Sequence, residues 1–423
     1  MLGQIAEDGF SVTDDPSLAD VIIVNTCGFI ESAAQESVDE ILSLVEFKKS
    51  GACRRMIVTG CLPERYREAI ADSLPEVDMF LGTGAYHRIA EVLRSSDPDT
   101  RCLLPPPSAL PLQHCGTKRT LTTASFAYLK VSEGCDRHCT YCIIPELRGK
   151  LRSRKPEDAV MEASGLISEG IREIVIIGQD TGAYGRDLRP PVSLSRLLAD
   201  VANISPDVWV RFLYGSPDTT DESLIRTIAD HDNICAYFDI PMQHAASPVL
   251  KRMGRNYDAG DLLRLVDHIR SIIPDAALRT TMMVGFPGET DQDFIELMKF
   301  AETVRFDHLG AFIYSDADDL PSHRLSGHVP KKIAKERHRA LMTAQARWSE
   351  TNNQKHVGRT FQVLAEEQLE EGLYAGRAWF QAPEVDGIVY IDAPEGGQTV
   401  RLGEFADVRV TDALEYDLRG ETV

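Results

Sequence analysis

The sequence lacks any long apolar run. Across its 423 residues no window approaches 18 uninterrupted apolar residues, which is the length that a bilayer-spanning helix needs. The first ten residues, MLGQIAEDGF, have neither the basic start nor the apolar stretch of a secretory signal. These two absences predict a protein with no membrane segment that resides in the cytoplasm.

The sequence also lacks the excess of positive charge that nucleic-acid-binding proteins usually carry. Lys and Arg number 45 against 65 Asp and Glu, which gives a formal net charge of -20. Such a surface repels phosphate backbones unless basic residues are concentrated locally. A strongly basic protein is therefore a more suitable partner than RNA or DNA.

Cysteine is present in an odd number, nine, and reduced thiols rather than disulfides are expected in the cytoplasm. Three cysteines lie close together in VSEGCDRHCTYCIIPELRGK, as Cys135, Cys139 and Cys142. A loop that directly follows a strand can gather three thiolates around one inorganic core. Four cysteines match no motif and are expected to be small core residues or incidental thiols: Cys53, Cys102, Cys115 and Cys235.

The three-cysteine loop leaves two kinds of site open. A cubane iron–sulfur cluster held by three cysteines keeps one iron available for reaction, whereas a structural zinc site wants a fourth protein ligand. His138, or the pair His114 and Cys115, would supply that ligand. A zinc-stabilised interaction protein is therefore the non-enzymatic alternative.

Periodicity and composition divide the chain into four segments. ADVIIVNTC and RRMIVTGC read as parallel strands, and Cys27 and Cys61 lie just beyond their carboxyl ends, where α/β sheets place their sites. Six later strand–helix units predict a parallel barrel or partial barrel. The segments are 1–97 (an open α/β domain), 98–120 (a proline-rich linker), 121–355 (the partial (βα)6 barrel) and 356–423 (a small antiparallel β-barrel).

The CxxxCxxC loop, with Tyr141 before its third cysteine, resembles the signature of radical S-adenosylmethionine (SAM) enzymes. IIGQDTGAYG resembles the segment that contacts the methionine end of the cofactor, and MVGFPGET resembles the glycine-rich ribose segment. The resemblance implies that the three loop cysteines are catalytic cluster ligands. It implies that the residues binding the cofactor are Tyr141, Gly178, Gln179, Asp180, Gly285, Gly288 and Glu289.

VNTCGFI and TGCLPERY resemble cysteine motifs of the methylthiotransferase amino-terminal domain, and the last segment resembles the family's TRAM domain. In that family the amino-terminal domain holds a second three-cysteine cluster, which implies two 4Fe-4S clusters and makes Cys27 and Cys61 metal ligands. The family's first strand and first cysteine have no counterpart after Met1. We expect the natural product to begin roughly 20 to 25 residues earlier, about one βα half-unit, and the second cluster to be incomplete without them.

GCDRHCTYC, GQDTGAYG and DIPMQHAASPVLKRMGR resemble the branch that modifies an aspartate of protein twelve of the small ribosomal subunit. The alternative branch modifies an adenosine of transfer RNA and typically has asparagine at Asp136 and Asp180. The terminal segment carries fourteen Asp and Glu against five Lys and Arg, which suits a basic ribosomal protein and opposes RNA contact except through the ribosome. Acidic positions such as Glu366, Glu370 and Asp407 are expected to meet this substrate.

The family's mechanism requires an electron donor protein that reduces the first cluster. Cleavage of the cofactor then yields a deoxyadenosyl radical that abstracts a hydrogen from the aspartate β-carbon. The second cluster supplies sulfur to the substrate radical, and a further S-adenosylmethionine supplies the methyl group.

Overall fold

The computed structural model describes residues 1–95, 100–112, 119, 121, 123, 125–393 and 399–423. The chain forms two compact units, each built from stretches that are separated in sequence. The first comprises Met1–Thr120, Glu133–Arg152 and Ser315–His323, and the second Leu121–Ser132, Ser153–Tyr314 and Arg324–Val423. The three-cysteine loop therefore belongs to the same unit as Cys27 and Cys61. The predicted segment boundaries stay predictions.

The first unit contains a parallel sheet with the strand order β1-β2-β3-β4. Ile41 and Val45 of α2 are buried with Val58 and Phe80 in one core cluster, and Ile89 of α5 lies in another. The elements are α1 (Leu2–Glu7), β1 (Val21–Thr26), α2 (Glu31–Ser50), β2 (Arg55–Gly60), α3 (Cys61–Tyr66), α4 (Ala69–Ser73), β3 (Met79–Leu81), α5 (Ile89–Arg94) and β4 (Cys102–Leu103).

Two features of this unit differ from the sequence expectation. The stretch PERYREAIADS, which reads as one helix, is divided between α3 and α4 at Arg67. Arg67 adopts a left-handed φ of 52°, and its guanidinium bonds the Glu64 carboxylate and the Leu104 carbonyl oxygen. The predicted linker supplies the strand β4, because Cys102 and Leu103 pair with Phe80 and Leu81.

The second unit contains six parallel strands in two groups, β5-β8-β9 and β10-β11-β12. A parallel bridge between Val210 and Ile234 connects the two groups. Strand β8, EIVII, is apolar after its first residue because both of its faces are covered. Ile174 and Ile176 pack with helix residues, and Val175 packs in a cluster that includes residues of the terminal barrel. Capping boxes at Asp258 and Thr290 begin α11 and α12.

These six strands and their helices match the predicted series of βα units. The elements from the cysteine loop onward are β5 (Phe126–Lys130), β6 (Ser132–Glu133), α6 (Ile144–Arg148), β7 (Arg152–Ser153), α7 (Pro156–Ser168), β8 (Glu173–Ile177), α8 (Leu194–Ala202), β9 (Trp209–Phe212), α9 (Glu222–Ala229), β10 (Tyr237–Asp239), α10 (Ser247–Arg252), α11 (Ala259–Ile272), β11 (Ala277–Val284), α12 (Asp291–Val304), β12 (His308–Ile313) and α13 (Lys331–Asn353).

The end of the chain forms a closed five-stranded barrel with the order β13-β14-β15-β17-β16. Its pairs are antiparallel except β15 with β17, which is parallel. The strands are β13 (Thr360–Glu370), β14 (Leu373–Ala378), β15 (Val389–Asp392), β16 (Phe405–Ala413) and β17 (Leu418–Thr422). The predicted class, an open α/β domain, a partial parallel barrel and a small terminal barrel, is confirmed.

Candidate functional site

The three-cysteine loop is held by the backbone on both sides. Gly134 has a φ of +80°, and a Cβ there would lie 2.2 Å from the Lys150 carbonyl oxygen, so only glycine fits. The Cys135 N–H donates to the Gly149 carbonyl oxygen at 3.1 Å. The exposed Asp136 accepts the Leu151 N–H at 3.0 Å. The start of the loop is thus held against residues 149–151, which lie just before β7.

The residues of this loop differ in exposure. Cys135 is buried, whereas Cys139, Tyr141 and Cys142 are half-buried and accessible from solvent. The Arg137 N–H donates to the Cys135 sulfur at 3.4 Å. Three thiols within eight residues of one anchored loop, two of them accessible, fit a cluster that uses three cysteine ligands.

The zinc alternative has no such support. Within the described part of the chain, no three His, Cys, Asp or Glu side chains converge tightly enough to hold a single metal ion, and this includes the exposed His138. A cubane spaces its ligand sulfurs further apart than one tetrahedral zinc does, so it needs no such convergence. His114 and Cys115, the other proposed zinc ligands, lie outside the described residues.

Cys27 and Cys61 lie at the carboxyl ends of adjacent strands, as predicted. Thr26 and Gly60, the residues before them, are register partners of β1 and β2. A Cβ on Gly28 would lie 3.0 Å from the Cys61 carbonyl carbon and oxygen, which shows how closely the two segments approach. Cys27 is exposed and Cys61 is buried.

The backbone around each of these two cysteines is fixed. Ser37 of α2 accepts the Cys27 N–H at 3.2 Å and donates to the Cys27 carbonyl oxygen at 2.9 Å. Gly60 has a φ of +108°, and a Cβ there would meet the Thr26 carbonyl oxygen at 2.4 Å. Cys61 can therefore begin α3 directly after β2 only because glycine precedes it.

The cofactor segment after β8 belongs to the second unit. A Cβ on Gly178 would lie 2.3 Å from the Ser132 hydroxyl oxygen, so a larger residue fits there only if the Ser132 side chain rotates. Gln179 is half-buried and Asp180 is buried. The Thr181 N–H donates to the Tyr214 carbonyl oxygen at 3.1 Å, which joins this segment to the end of β9.

The glycine-rich segment after β11 is packed against α13. Gly285 and Gly288 have φ values of +77° and +89°, and a Cβ on Gly285 would lie 2.5 Å from the Ala334 Cβ. The Glu289 side chain is fully buried, accepts the Gly285 N–H and lies 3.3 Å from the Arg337 guanidinium. The buried Glu289 carboxylate therefore fixes the conformation of this loop.

Two strand ends carry backbone conformations that non-glycine residues rarely adopt. Tyr214 after β9 has a φ of 63°, and Gln243 after β10 has a φ of 69°. The Tyr214 N–H is held by the Asp239 carboxylate at 2.8 Å. Burial, and then the charge of Asp239, raises the pKa of the Tyr214 phenol. Strain of this kind concentrates where a fold carries function.

The sequence reasoning missed several residues that support the site. Arg148 donates to the Cys61 sulfur at 3.1 Å, and Arg337 holds Glu289. His244, which follows β10, is interior, and its Nε2 lies 3.6 Å from Glu289. Arg148 lies in the stretch VSEGCDRHCTYCIIPELRGK and Arg337 ends HVPKKIAKER, but the partners of both are distant in sequence, so no local signal assigns their contacts.

The family comparisons cover most of the chain. Residues 1–82 match the uncharacterized protein family UPF0004, residues 129–301 match the Radical SAM superfamily, and residues 357–423 match a TRAM domain. The radical S-adenosylmethionine methyltransferase TsrM from Kitasatospora setae has a similar fold, with a TM-score of 0.59 at 13% identity over 76% of this chain and 72% of that one. That structure contains cobalamin and a 4Fe-4S cluster. The fold and the cysteine loop define a radical SAM enzyme.

Curated relatives identify the particular family within this class. Ribosomal protein uS12 methylthiotransferase RimO of Desulfosudis oleivorans is 53% identical over 100% of this chain and 95% of its own length. The protein of the same name from Clostridioides difficile is 45% identical, again over 100% of this chain and 95% of the relative. The chain belongs to the ribosomal protein uS12 methylthiotransferase family, which confirms the predicted branch.

In the ranges that the structure describes, every helix is too short or too polar to cross a lipid bilayer.

Proposed function

We propose that this protein is a radical SAM methylthiotransferase that replaces a β-hydrogen of an aspartate in ribosomal protein uS12 with a methylthio group. The observation that carries the proposal is identity of 53% to a uS12 methylthiotransferase over the full chain, together with the anchored CxxxCxxC loop. Because the proposed substrate is a ribosomal protein, we propose that the activity takes place in the cytoplasm. An electron donor protein is its second partner.

We assign the first cluster to Cys135, Cys139 and Cys142, and we assign Cys27 and Cys61 to a second cluster. When bound, the first cluster supplies the electron that cleaves S-adenosylmethionine. The exposed Cys27 and the buried Cys61 lie on adjacent strand ends, which supports a shared inorganic ligand.

The chain's own residues position the cofactor and exclude water. The tight turns at Gly178, Gly285 and Gly288 allow backbone atoms to approach a ligand closely. The ion pair between Glu289 and Arg337 fixes the conformation of the glycine-rich turn. In the first unit, Ile143, Leu147 and Leu320 form an apolar cluster with Cys61, with Phe29 packed against it, which limits water on that side of the sulfur.

The test is anaerobic reconstitution of the protein, followed by incubation with S-adenosylmethionine, a reductant and purified uS12. We expect deoxyadenosine and a methylthio group on one aspartate of uS12, located by peptide mass spectrometry. A uS12 variant with asparagine at that aspartate is the matched control. Modification of transfer RNA in a parallel reaction, with uS12 unchanged, would contradict the substrate assignment.

A further inference from the structure

His244 lies after the end of β10, beside the glycine-rich turn that follows β11. The residue before it, Gln243, adopts a left-handed φ of 69° and forms a parallel bridge with Met282 of β11. The side chains of His244 and Glu289 are both 0% exposed, and the His244 Nε2 lies 3.6 Å from the Glu289 Oε1. Two polar side chains, carried by the segments that follow two neighbouring strands, therefore meet in the interior.

The partner of the other ring nitrogen fixes the tautomer of His244. The Ala246 N–H donates to the His244 Nδ1 at 2.9 Å. A ring nitrogen that accepts a hydrogen bond carries no hydrogen, so the imidazole hydrogen is on Nε2. The group of His244 that faces the Glu289 carboxylate is therefore an N–H donor.

The two oxygens of the Glu289 carboxylate have different surroundings. Oε2 accepts the Gly285 N–H and lies 3.3 Å from the Arg337 guanidinium. Among the described residues, Oε1 has no hydrogen-bond partner, and the His244 Nε2 has none either. Leaving a buried donor and a buried acceptor unsatisfied is costly. An N–H···O bond is about 2.9 Å long, so a shift of about 0.7 Å joins these two atoms.

We propose that His244 is a positioning residue for the glycine-rich turn, because its Nε2–H group donates to Glu289 and orients the carboxylate that accepts the Gly285 N–H. The inference rests on the proposed function, in which this turn binds S-adenosylmethionine. His244 acts through Glu289 and does not itself touch the cofactor. It thereby joins the strained segment after β10 to the turn after β11.

The alternative is a histidine that only stabilises the turn after β10, through the bond from Ala246 to its Nδ1. Two amide substitutions separate these roles, because an asparagine amide lies near the place of Nδ1 and a glutamine amide near that of Nε2. His244→Asn keeps an acceptor for the Ala246 N–H and removes the donor to Glu289. His244→Gln keeps the donor and removes the acceptor, so each variant is the matched control of the other.

The experiment measures binding of S-adenosylmethionine to the anaerobically reconstituted full chain by equilibrium dialysis. We expect His244→Asn to weaken binding about fivefold, which is in the range of one net hydrogen bond, and His244→Gln to keep most of the affinity. Because His244 acts through Glu289, adding His244→Asn to Glu289→Gln should weaken binding no further than Glu289→Gln alone. Effects that multiply in the double variant would overturn the inference.

A second readout does not involve the cofactor. Nitrogen NMR of the cluster-free chain with isotope-labelled histidine reports the tautomer of each ring, and the His244 signals are those absent from His244→Gln. We expect the hydrogen on Nε2, and a hydrogen on Nδ1 would overturn the inference. If His244→Asn does not fold, the tautomer and the affinity of His244→Gln still decide.

The remaining outcomes separate this inference from the proposed function. Equal affinity of His244→Asn and the natural sequence would overturn the role of His244 and leave the proposed function intact. Equal weakening by His244→Asn and His244→Gln would also overturn it, because the loss would then not follow the donor. Failure of the natural sequence to bind S-adenosylmethionine would contradict the proposed function and this inference with it.

Discussion

The two ends of the six parallel strands in the second unit are built differently. At the amino ends, buried charged side chains join the strands to the terminal barrel. Glu173 at the start of β8 is 0% exposed and bonds Arg211 at 2.7 Å and Arg377 of the barrel at 2.6 Å. Asp386 of the barrel accepts the Tyr237 hydroxyl at 2.6 Å and lies 3.3 Å from Arg279. These contacts fix the barrel to the core.

At the carboxyl ends the same strands finish in glycine turns and strained residues. Gly178 follows β8, Tyr214 follows β9, Gln243 follows shortly after β10, and Gly285 follows β11. None of these four positions adds to stability in the way that a buried ion network does, and left-handed non-glycine residues cost free energy. The amino ends hold the fold together, and the carboxyl ends use that stability to maintain strained backbone conformations, which we propose bind the cofactor.

The strongest test of this division lies in the cysteine loop. Cys139→Ser should abolish deoxyadenosine formation, because a hydroxyl is a poor ligand for iron and a cluster with two remaining thiolates is lost or inactive. The melting temperature of the cluster-free protein should change little. Product formation is measured by chromatography after anaerobic reconstitution. Full deoxyadenosine production by this variant would refute the assignment of the loop.

Substitution at the amino ends of the strands should instead lower the stability of the fold. Arg377→Met leaves Glu173 buried with one partner fewer, and breaking such a buried network costs about 3–5 kcal/mol in the free energy of unfolding. Arg419→Met is the control, because its pair with Asp392 is exposed to solvent and pairs of this kind contribute little to stability. Denaturant unfolding measures both. Equal destabilisation by the two variants would show that burial of the network is unimportant.

The junction between α13 and the barrel predicts a pH dependence. His356 stacks on Phe380 with ring centres 4.3 Å apart, and burial, followed by the charges of Arg359 and Lys355, lowers its pKa from 6.5 to about 4. The unfolded chain therefore binds a proton at a higher pH than the folded chain. The stability contributed by neutral His356 is complete above pH 6.5 and is lost as the pH falls toward 4.

The difference between these two pKa values corresponds to about 3 kcal/mol, and partial exposure reduces the expected effect to about 1–2 kcal/mol. Unfolding of the cluster-free chain is measured at pH 7.5 and pH 4.5 for the natural sequence and His356→Phe. The acid-induced loss of stability should be smaller in His356→Phe. An identical loss in both proteins would show that His356 does not contribute.

The smallest expected effect concerns the carboxyl ends alone. Glu289→Gln removes the charge that holds Arg337 beneath the glycine turn, and we expect S-adenosylmethionine to bind about tenfold more weakly, which is about 1.4 kcal/mol. Asp291→Asn is the control: Asp291 also bonds Arg337, at 2.7 Å, but its side chain is 91% exposed. Equilibrium dialysis measures both. If cofactor binding weakens equally in the two variants, the effect comes from the lost contacts to Arg337 and not from the contact between Glu289 and the glycine turn.

Local sequence patterns predicted most of the strands and helices and the positions of the cysteines relative to the strands. The spacing of the loop cysteines, the strands before Cys27 and Cys61, and the glycines after β8 and β11 are all short-range signals.

Contacts between distant residues could not be predicted in this way. Glu366 was expected to be one of the acidic positions that meet the substrate, but its carboxylate bonds Arg377 and the Ser125 hydroxyl. Glu173 and Arg377 are 204 positions apart, and neither lies in a motif. Only the folded chain shows which charges are solvated and which are paired.

The ion pair between Glu173 and Arg377 limits which terminal barrels can be joined to this core in a chimeric protein. A terminal barrel exchanged with that of another family member would fit only if the incoming barrel carries an arginine at the equivalent place. A chain shortened before the barrel would leave the carboxylate of Glu173 with Arg211 as its remaining cation. Core and barrel are therefore expected to be inherited together, and a chimera that respects only the domain boundary should express poorly unless this pair of residues is transferred as well.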